Sequence, residues 1–151
     1  MLGELNDEQI DGLLHEQVVG RIGCRGDDGL VYVVPITYAY DGHAVYGHTF
    51  DGLKLRLMRA NPRVCFEVDR IETLTSWQSV IAWGTFEELT GARGEDGMEL
   101  LMRRLMPLLP GTRTRARPAT SAEPADGAIV YRIVLDSRTG RFEGPFEPPP
   151  D

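Results

Sequence analysis

Polar and apolar residues alternate along Val64-Cys-Phe-Glu-Val-Asp69, so Val64, Phe66 and Val68 share the buried face of a strand whose other face carries Cys65, Glu67 and Asp69. Upstream, Ala44-Val-Tyr46 is β-prone after the turn signal Asp41-Gly42. Leu53, Leu57 and Ala60 then recur at helical spacing until Asn61-Pro62 stops the helix. The unit from His43 to Arg70 therefore reads as strand, short helix, strand.

The same reading extends along the rest of the chain. Asn6 or Asp7 caps a helix through about His15 with Ile10, Leu13 and Leu14 on one stripe, giving an N-terminal helical segment over residues 1–16. Val18 to Cys24 is a strand, Asp27-Asp-Gly29 a turn, and Leu30 to Tyr40 a long strand rich in β-branched and aromatic residues. Pro35 cannot donate to a ladder, so it marks a bulge or an unpaired edge. Ile71 to Ser76 reads as a loop. A long strand follows from Trp77 to Leu89, with Trp77, Ser79, Ile81 and Trp83 on one face and Gln78, Val80 and Ala82 on the other. Gly94-Glu-Asp-Gly97 precedes a helix to about Met106 that carries Met98, Leu101, Met102 and Leu105 on one side, with Pro107 and Pro110 ending it. Residues 111–127 form a long loop without periodicity, Ala128 to Leu135 closes the sheet, and residues 143–151 are a fraying tail.

A length of 151 residues is enough for one domain with its own core. The net charge of -7 argues against a nucleic-acid partner, since phosphate backbones are held mainly by Lys and Arg. Cys24 and Cys65 are too far apart for a metal-binding pair and sit in apolar strand patterns, so both are expected buried and reduced. An acidic start and the absence of any long apolar run point to a soluble cytoplasmic protein without a membrane partner. Gly20, Gly23 and Gly26 lack the spacing and the following helix of a dinucleotide fingerprint. No nucleophile elbow, phosphate loop or His-Glu-x-x-His helix occurs, and His43 and His48 fall on opposite faces of a strand, so no metal site is expected.

The chemistry that does stand out is at the junction between the first strand and the helix of the unit from His43 to Arg70. His48, Thr49 and Lys54 bring an imidazole, a hydroxyl and an ammonium to a helix N-terminus, an arrangement suited to a phosphate monoester. The alternative is plain capping of that helix by Thr49 or Asp51, with Lys54 a solvated charge. Arg113, Arg115 and Arg117 form either a solvated basic loop or an attractor for an anionic ligand.

Tyr38-Ala-Tyr-Asp-Gly42, Val45-Tyr-Gly-His-Thr49, Gly52-Leu-Lys54 and Asn61-Pro-Arg-Val-Cys-Phe66 resemble, in order, successive blocks of the pyridoxamine-phosphate-oxidase-like flavoproteins, nearest the nitroimidazole-resistance-type branch. The resemblance spans roughly Leu5 to Leu89 and the final strand. It implies a mainly β fold with flanking helices: an FMN-binding split β-barrel, antiparallel, Greek-key-like, of six to seven strands. It also implies FMN as cofactor, with Pro35, Ile36 and Thr37 beside the flavin ring and His48, Thr49, Leu53 and Lys54 around the phosphate. Trp77, Gln78 and Ser79 would reach the flavin of a second subunit in a homodimer, although packing alone is the other reading of Trp77. Ser79 stands where the family more often has glutamine. Ser137-Arg-Thr-Gly-Arg141-Phe142 resembles the family's basic turn after the last strand.

The implied activity is an FMN-dependent oxidoreductase acting on a small, aromatic or nitro-substituted molecule in a cleft between subunits, with NADH or NADPH as donor. The flavin would carry the electrons, which accords with the lack of a protein acid-base dyad. Two alternatives stay open: a reductase of the same fold that uses a deazaflavin coenzyme, and a non-catalytic flavin- or haem-binding module. Pyridoxamine phosphate oxidation itself is disfavoured, because Leu53 stands where members with that activity carry a second basic residue.

Overall fold

The computed structural model describes residues 1–110 and 127–145. Expectations for residues 111–126, with Arg113, Arg115 and Arg117, and for residues 146–151 lie outside the described residues. Eight strands, β1 (Leu2–Glu4), β2 (Val19–Arg25), β3 (Val31–Thr37), β4 (Ala39–Tyr40), β5 (Ala44–Thr49), β6 (Arg63–Thr73), β7 (Ser76–Leu89) and β8 (Ile129–Glu143), form one sheet. Among the described residues three α-helices, α1 (Asp7–Glu16), α2 (Leu53–Ala60) and α3 (Gly91–Leu105), flank it, and a short 3-10 helix, Met106–Leu108, follows α3. The strand order is β3-β2-β6-β7-β8-β5-β4, with β1 added to β8, and every pairing is antiparallel.

That order makes a barrel. β3 and β4 lie at opposite ends of the strand path, yet only Tyr38 separates them in the chain. One residue spans roughly 3.5 Å, so the two edges must come together and the sheet must curl. The edges do not hydrogen-bond to each other, so the barrel stays split. Tyr38 is fully buried at the crossover, where its amide donates to the Val18 carbonyl (3.0 Å) and its hydroxyl to the Leu14 carbonyl (2.7 Å). Burial pushes its phenol well above the ordinary range.

The barrel interior is the main core, with Ile22, Val45, Phe66, Val68, Val80, Tyr131 and Ile133 from the strands and Leu13, Leu14, Leu55 and Met58 from the helices. A smaller cluster lies outside the barrel, where Met98, Leu101 and Leu105 of α3 pack on Ala39, Leu89 and Val130. Asn6 caps α1 through a reciprocal pair with Gln9, and Ile10, Leu13 and Leu14 are buried as the spacing predicts.

Several expectations are corrected. Residues 71–76 are not a loop: β6 runs to Thr73 and β7 starts at Ser76, with Leu74 and Thr75 at the tip and Ile71 opposite Trp77. The tip has neither Gly nor Pro, so no turn signal marked it. The stretch Ser137 to Phe142 is not a turn either, because β8 continues through it to Glu143 after a bulge opposite Trp83 and Gly84. Helix α3 begins at Gly91, because tertiary packing overrides the poor propensity of its three glycines. Gly97 serves that packing, since a Cβ there would lie 3.0 Å from Val130 and 3.3 Å from Tyr46.

On α2 the buried residues are Leu55 and Met58, while Leu53 and Ala60 are exposed. The alternation Leu53-Lys-Leu-Arg-Leu57 leaves the helical face undetermined until the helix start is known. Residues 2–4 form a strand ahead of α1, and Gly144 donates to the Met1 carbonyl (3.0 Å), so residues 143–145 are tied down rather than fraying. The expected strand from Leu30 to Tyr40 breaks at Tyr38, and the register of β2 with β3 passes Pro35 without a shift, which makes Pro35 an edge residue and not a bulge. Cys24 is buried as expected, but Cys65 is half-buried on the outer face, and both thiols are free.

Gly84 sits at the bulge, where an added Cβ would lie 2.5 Å from the Val134 carbonyl oxygen, a backbone atom that cannot step aside. Gly84→Ala should destabilise the fold by about 1–3 kcal/mol. A urea midpoint unchanged from wild type would show that the bulge relaxes freely.

Candidate functional site

The split is built by a change of partner. β4 pairs with β5 only through Ala39 opposite Tyr46 and Tyr40 opposite Val45. Continued past Ala39, that register would bring Thr37 level with His48, but Thr37 pairs instead with Val19 on β2. Two backbone edges thus face one another without a ladder, Pro35-Ile-Thr37 on one lip and Gly47-His-Thr49 on the other. Unpaired strand edges present N–H and C=O groups that a ligand's polar rim can meet. Ile36 turns into the core while Pro35 and Thr37 are exposed.

Thr49 and His48 are neighbours on β5 and therefore point to opposite faces. Thr49 shares the face of Gly47, opposite Ile129 and Tyr131, whereas His48 shares that of Tyr46, opposite Val130. Imidazole and hydroxyl therefore do not converge as expected, and Thr49 Oγ1 donates to the Phe50 carbonyl (3.1 Å). Neither Thr49 nor Asp51 caps α2. Its N-cap is Gly52, no side chain accepts from its first-turn amides, and no acidic residue lies in that turn. The positive end of the helix is left uncompensated by the protein.

Lys54 stands in this first turn and is the chain's one lysine. It is half-buried and forms no ion pair among the described residues. Burial lowers its pKa, opposed by the Cys24 thiol nearby. His48 Nδ1 is buried without a hydrogen-bond partner. Burial first, then the Lys54 ammonium, hold the imidazole below its ordinary pKa and so favour its neutral form at pH 7. Lys54 and His48 therefore lie within electrostatic reach of each other, and neither has an anion. Leu53, half exposed, and Phe50 add apolar surface beside them.

The structure adds two residues to this region. Tyr131 Oη is buried without a partner, and a Cβ at Gly47 would lie 2.5 Å from it, so glycine there lets the phenol cross the barrel under β5. Cys24 is close enough to Tyr131 and Lys54 to influence both. Cys24 is expected to be buried from its apolar strand pattern, whereas no expectation attaches to Tyr131, and their meeting is set by long-range register.

Trp77, Gln78 and Ser79 lie elsewhere. They sit opposite Glu143, Phe142 and Arg141 of β8, and Trp77 Nε1 donates to Glu143 Oε2 (3.1 Å). A polar cleft of about 200 Å³ lies there, bounded by Arg70, Glu72 and Gln78. His48 faces Val130 of the same strand, so Val130 and Arg141 mark the two groups on β8. At about 3.3 Å per residue the separation along the strand is roughly 35 Å. One chain does not bring the two groups together.

A family model described as pyridoxamine 5'-phosphate oxidase matches residues 6–142. The chain belongs to the pyridoxamine 5'-phosphate oxidase family. An uncharacterized protein of Rhizobium meliloti (strain 1021) is 32% identical over 140 residues, covering 91% of this chain and 92% of its own. Among solved structures, a FAD-binding protein from Mesorhizobium loti superposes with a TM-score of 0.76 at 30% identity over 95% of this chain and 99% of that one. A putative 5-nitroimidazole antibiotic resistance protein from Bacteroides thetaiotaomicron gives 0.72 at 18% identity over 94% and 87%, a likeness of fold. The pyridoxamine 5'-phosphate oxidase family fold thus accounts for the eight-stranded split barrel. Among the described residues no helix is long and apolar enough to cross a membrane, and no group of His, Cys, Asp and Glu is arranged to hold a metal ion.

The electrostatic link between Lys54 and His48 is directly measurable. Lys54→Met removes the nearby cation and should raise the His48 pKa part of the way to its ordinary value, burial holding back the remainder. An NMR titration of the imidazole in wild type and variant reads this. Identical titrations would show the two groups to be independent.

Proposed function

We propose that this protein binds a 5'-phosphorylated flavin, with FMN the form the site fits most simply, in the split between β3 and β5. The observation that carries the reading is the pairing of an uncapped α2 N-terminus with the half-buried, unpaired Lys54, a positive pocket with no counter-anion of its own. The orphaned His48 Nδ1 fits a ligand polar group as well. The Mesorhizobium loti protein is described as FAD-binding, and FAD carries a phosphate at the same 5' position of its flavin half.

In this reading Lys54 and the first-turn amides of α2 hold the phosphate. The backbone edges at Pro35-Ile-Thr37 and at His48-Thr49 orient the ring, and Leu53 covers the phosphate end without adding a second cation. The flavin supplies hydride or single-electron transfer, which the protein's own side chains lack. Because Trp77, Gln78 and Ser79 stand far from this site in their own chain, a second copy supplies them, covering the ring and excluding water. The function is that of a homodimeric, cytoplasmic oxidoreductase acting on a small aromatic or nitro-substituted molecule in the cleft between copies, with NADH or NADPH as donor.

Lys54→Met removes a charge-assisted hydrogen bond worth roughly 1.5–3 kcal/mol. FMN affinity should fall about ten- to a hundredfold, and riboflavin, without a phosphate, should lose much less. Titrations of FMN, FAD and riboflavin into both proteins decide this. Equal weakening for all three would move the phosphate elsewhere, and a wild-type protein that neither carries nor takes up any flavin would overturn the proposal.

A further inference from the structure

After β5 the chain turns through Phe50, Asp51 and Gly52 into α2, and this turn carries more than a phosphate pocket uses. Phe50 is 56% exposed and belongs to neither core cluster. A phenyl ring displayed on a turn gains nothing from water and favours burial. Its backbone is held, since its carbonyl accepts from Thr49 Oγ1 (3.1 Å). Gly52 has a φ of -177°, extended backbone that any residue adopts, and a Cβ there would meet only the Phe50 carbonyl oxygen at 3.9 Å. Neither packing nor conformation requires glycine at this position. Its effect is to keep the approach to the first amides of α2 open.

Arg56 is the second group without a use. Its Nε donates to the Gly52 carbonyl (3.3 Å), which folds the guanidinium back to the start of its own helix, and it forms no ion pair among the described residues. Lys54 and Arg56 are two residues apart, about 200° around the helix, so the two cations do not converge on one phosphate from the same side. The nearest carboxylate in the turn has a cation of its own. Asp51 is exposed and lies within electrostatic reach of Arg59, which Glu88 holds at 3.0 and 2.7 Å.

We propose that Phe50 and Arg56 form a second subsite for the adenylate half of a flavin dinucleotide, Arg56 meeting the outer phosphate and the Phe50 ring stacking on the adenine, so that the protein prefers FAD to FMN. The proposal rests on the flavin reading above, and it adds what lies beyond the 5'-phosphate.

The pocket at Lys54 accepts FMN and the flavin half of FAD alike, and charge separates the two. A terminal phosphate carries about -1.5 to -2 charges at pH 7, which Lys54 would meet as the one half-buried cation. In a dinucleotide both phosphates are diesters with a single negative charge each. Lys54 with the open α2 amides then balances one, and Arg56 the other. Leu53, 50% exposed, supplies apolar surface here in place of a second base that would serve a terminal dianion. An aromatic ring stacks on adenine through the π-face that every base presents, and an adjoining guanidinium strengthens the contact.

Equilibrium titrations of FAD and FMN into the purified protein test this, in wild type, Phe50→Ala, Phe50→Tyr and Arg56→Gln. Both positions are exposed, and circular dichroism confirms the fold of each variant. Wild type should bind FAD about tenfold or more tighter than FMN. Phe50→Ala should cut that preference about fivefold or more, whereas Phe50→Tyr, which keeps the ring, should retain it. Arg56→Gln should cut it about two- to fivefold at low ionic strength and less at high. A wild type that binds neither flavin sinks the flavin reading and the subsite with it. Equal affinity for FAD and FMN leaves the flavin reading standing and overturns the subsite. A preference for FAD that persists in full in Phe50→Ala overturns the stacking, and one that persists in full in Arg56→Gln overturns the contact with the outer phosphate.

Discussion

The fold depends on a single-residue crossover. Tyr38 joins two strands at opposite ends of the sheet, and this short tether forces a flat antiparallel ladder to become a barrel. Hydrogen bonding would favour full closure, since closed barrels remove edges altogether. Here the two lips use different partners, β2 for Thr37 and β5 for Ala39, and cannot also pair with each other. The cost of ordering the crossover is offset by Tyr38 itself, whose ring packs edge-on against Phe66 at 5.0 Å and whose hydroxyl reaches the end of α1. The same residue that closes the core also holds the split open.

Charge follows a related logic. Most arginines among the described residues are engaged with carboxylates or carbonyls: Arg59 with Glu88, Arg132 with Glu87, Arg138 with Asp11, and Arg104 with the last carbonyls of α1. Such exposed pairs contribute little stability each. Their effect is to satisfy the acidic surface locally, so that among the described residues a half-buried positive charge without an anion stands out. That charge is Lys54, beside a helix end that no side chain caps. A compact ammonium is more strongly hydrated than a guanidinium, so leaving it half-buried without an anion is costly, and the phosphate of the proposed flavin would relieve that cost.

Local signals in the sequence carried as far as local physics does. The alternation of Val64, Phe66 and Val68 and the capping residue Asn6 were legible because burial and hydrogen bonding act there within a few residues. Leu53 and Leu55 could not be ranked, because a two-residue alternation at a helix start is consistent with more than one face. The tip at Leu74 and Thr75 was hidden by ordinary residues in a tight turn, and the start of α3 by glycines that tertiary packing requires. Of the site, Lys54 and the helix end were readable. The opposed directions of His48 and Thr49 follow from strand geometry that their adjacency in sequence already contained. The approach of Tyr131 to Gly47 did not, since it depends on the β5–β8 register.

The long hairpin of β6 and β7 gives the remaining step. It carries Trp77 to Ser79 far from the split and ends in Leu74, 93% exposed, preceded by Ile71, 66% exposed. An isolated hairpin end gains nothing from displaying apolar side chains to water, and each would favour burial. Under the proposed function the chain would hold half of its site at the barrel's split and a second set of residues, Trp77 to Ser79, on an arm far from it. In an isologous pair each arm meets the other copy's split by the same contact made twice, so one modest surface serves two sites. A single copy leaves the arm in water, which is the physical reason to expect that this barrel works as two.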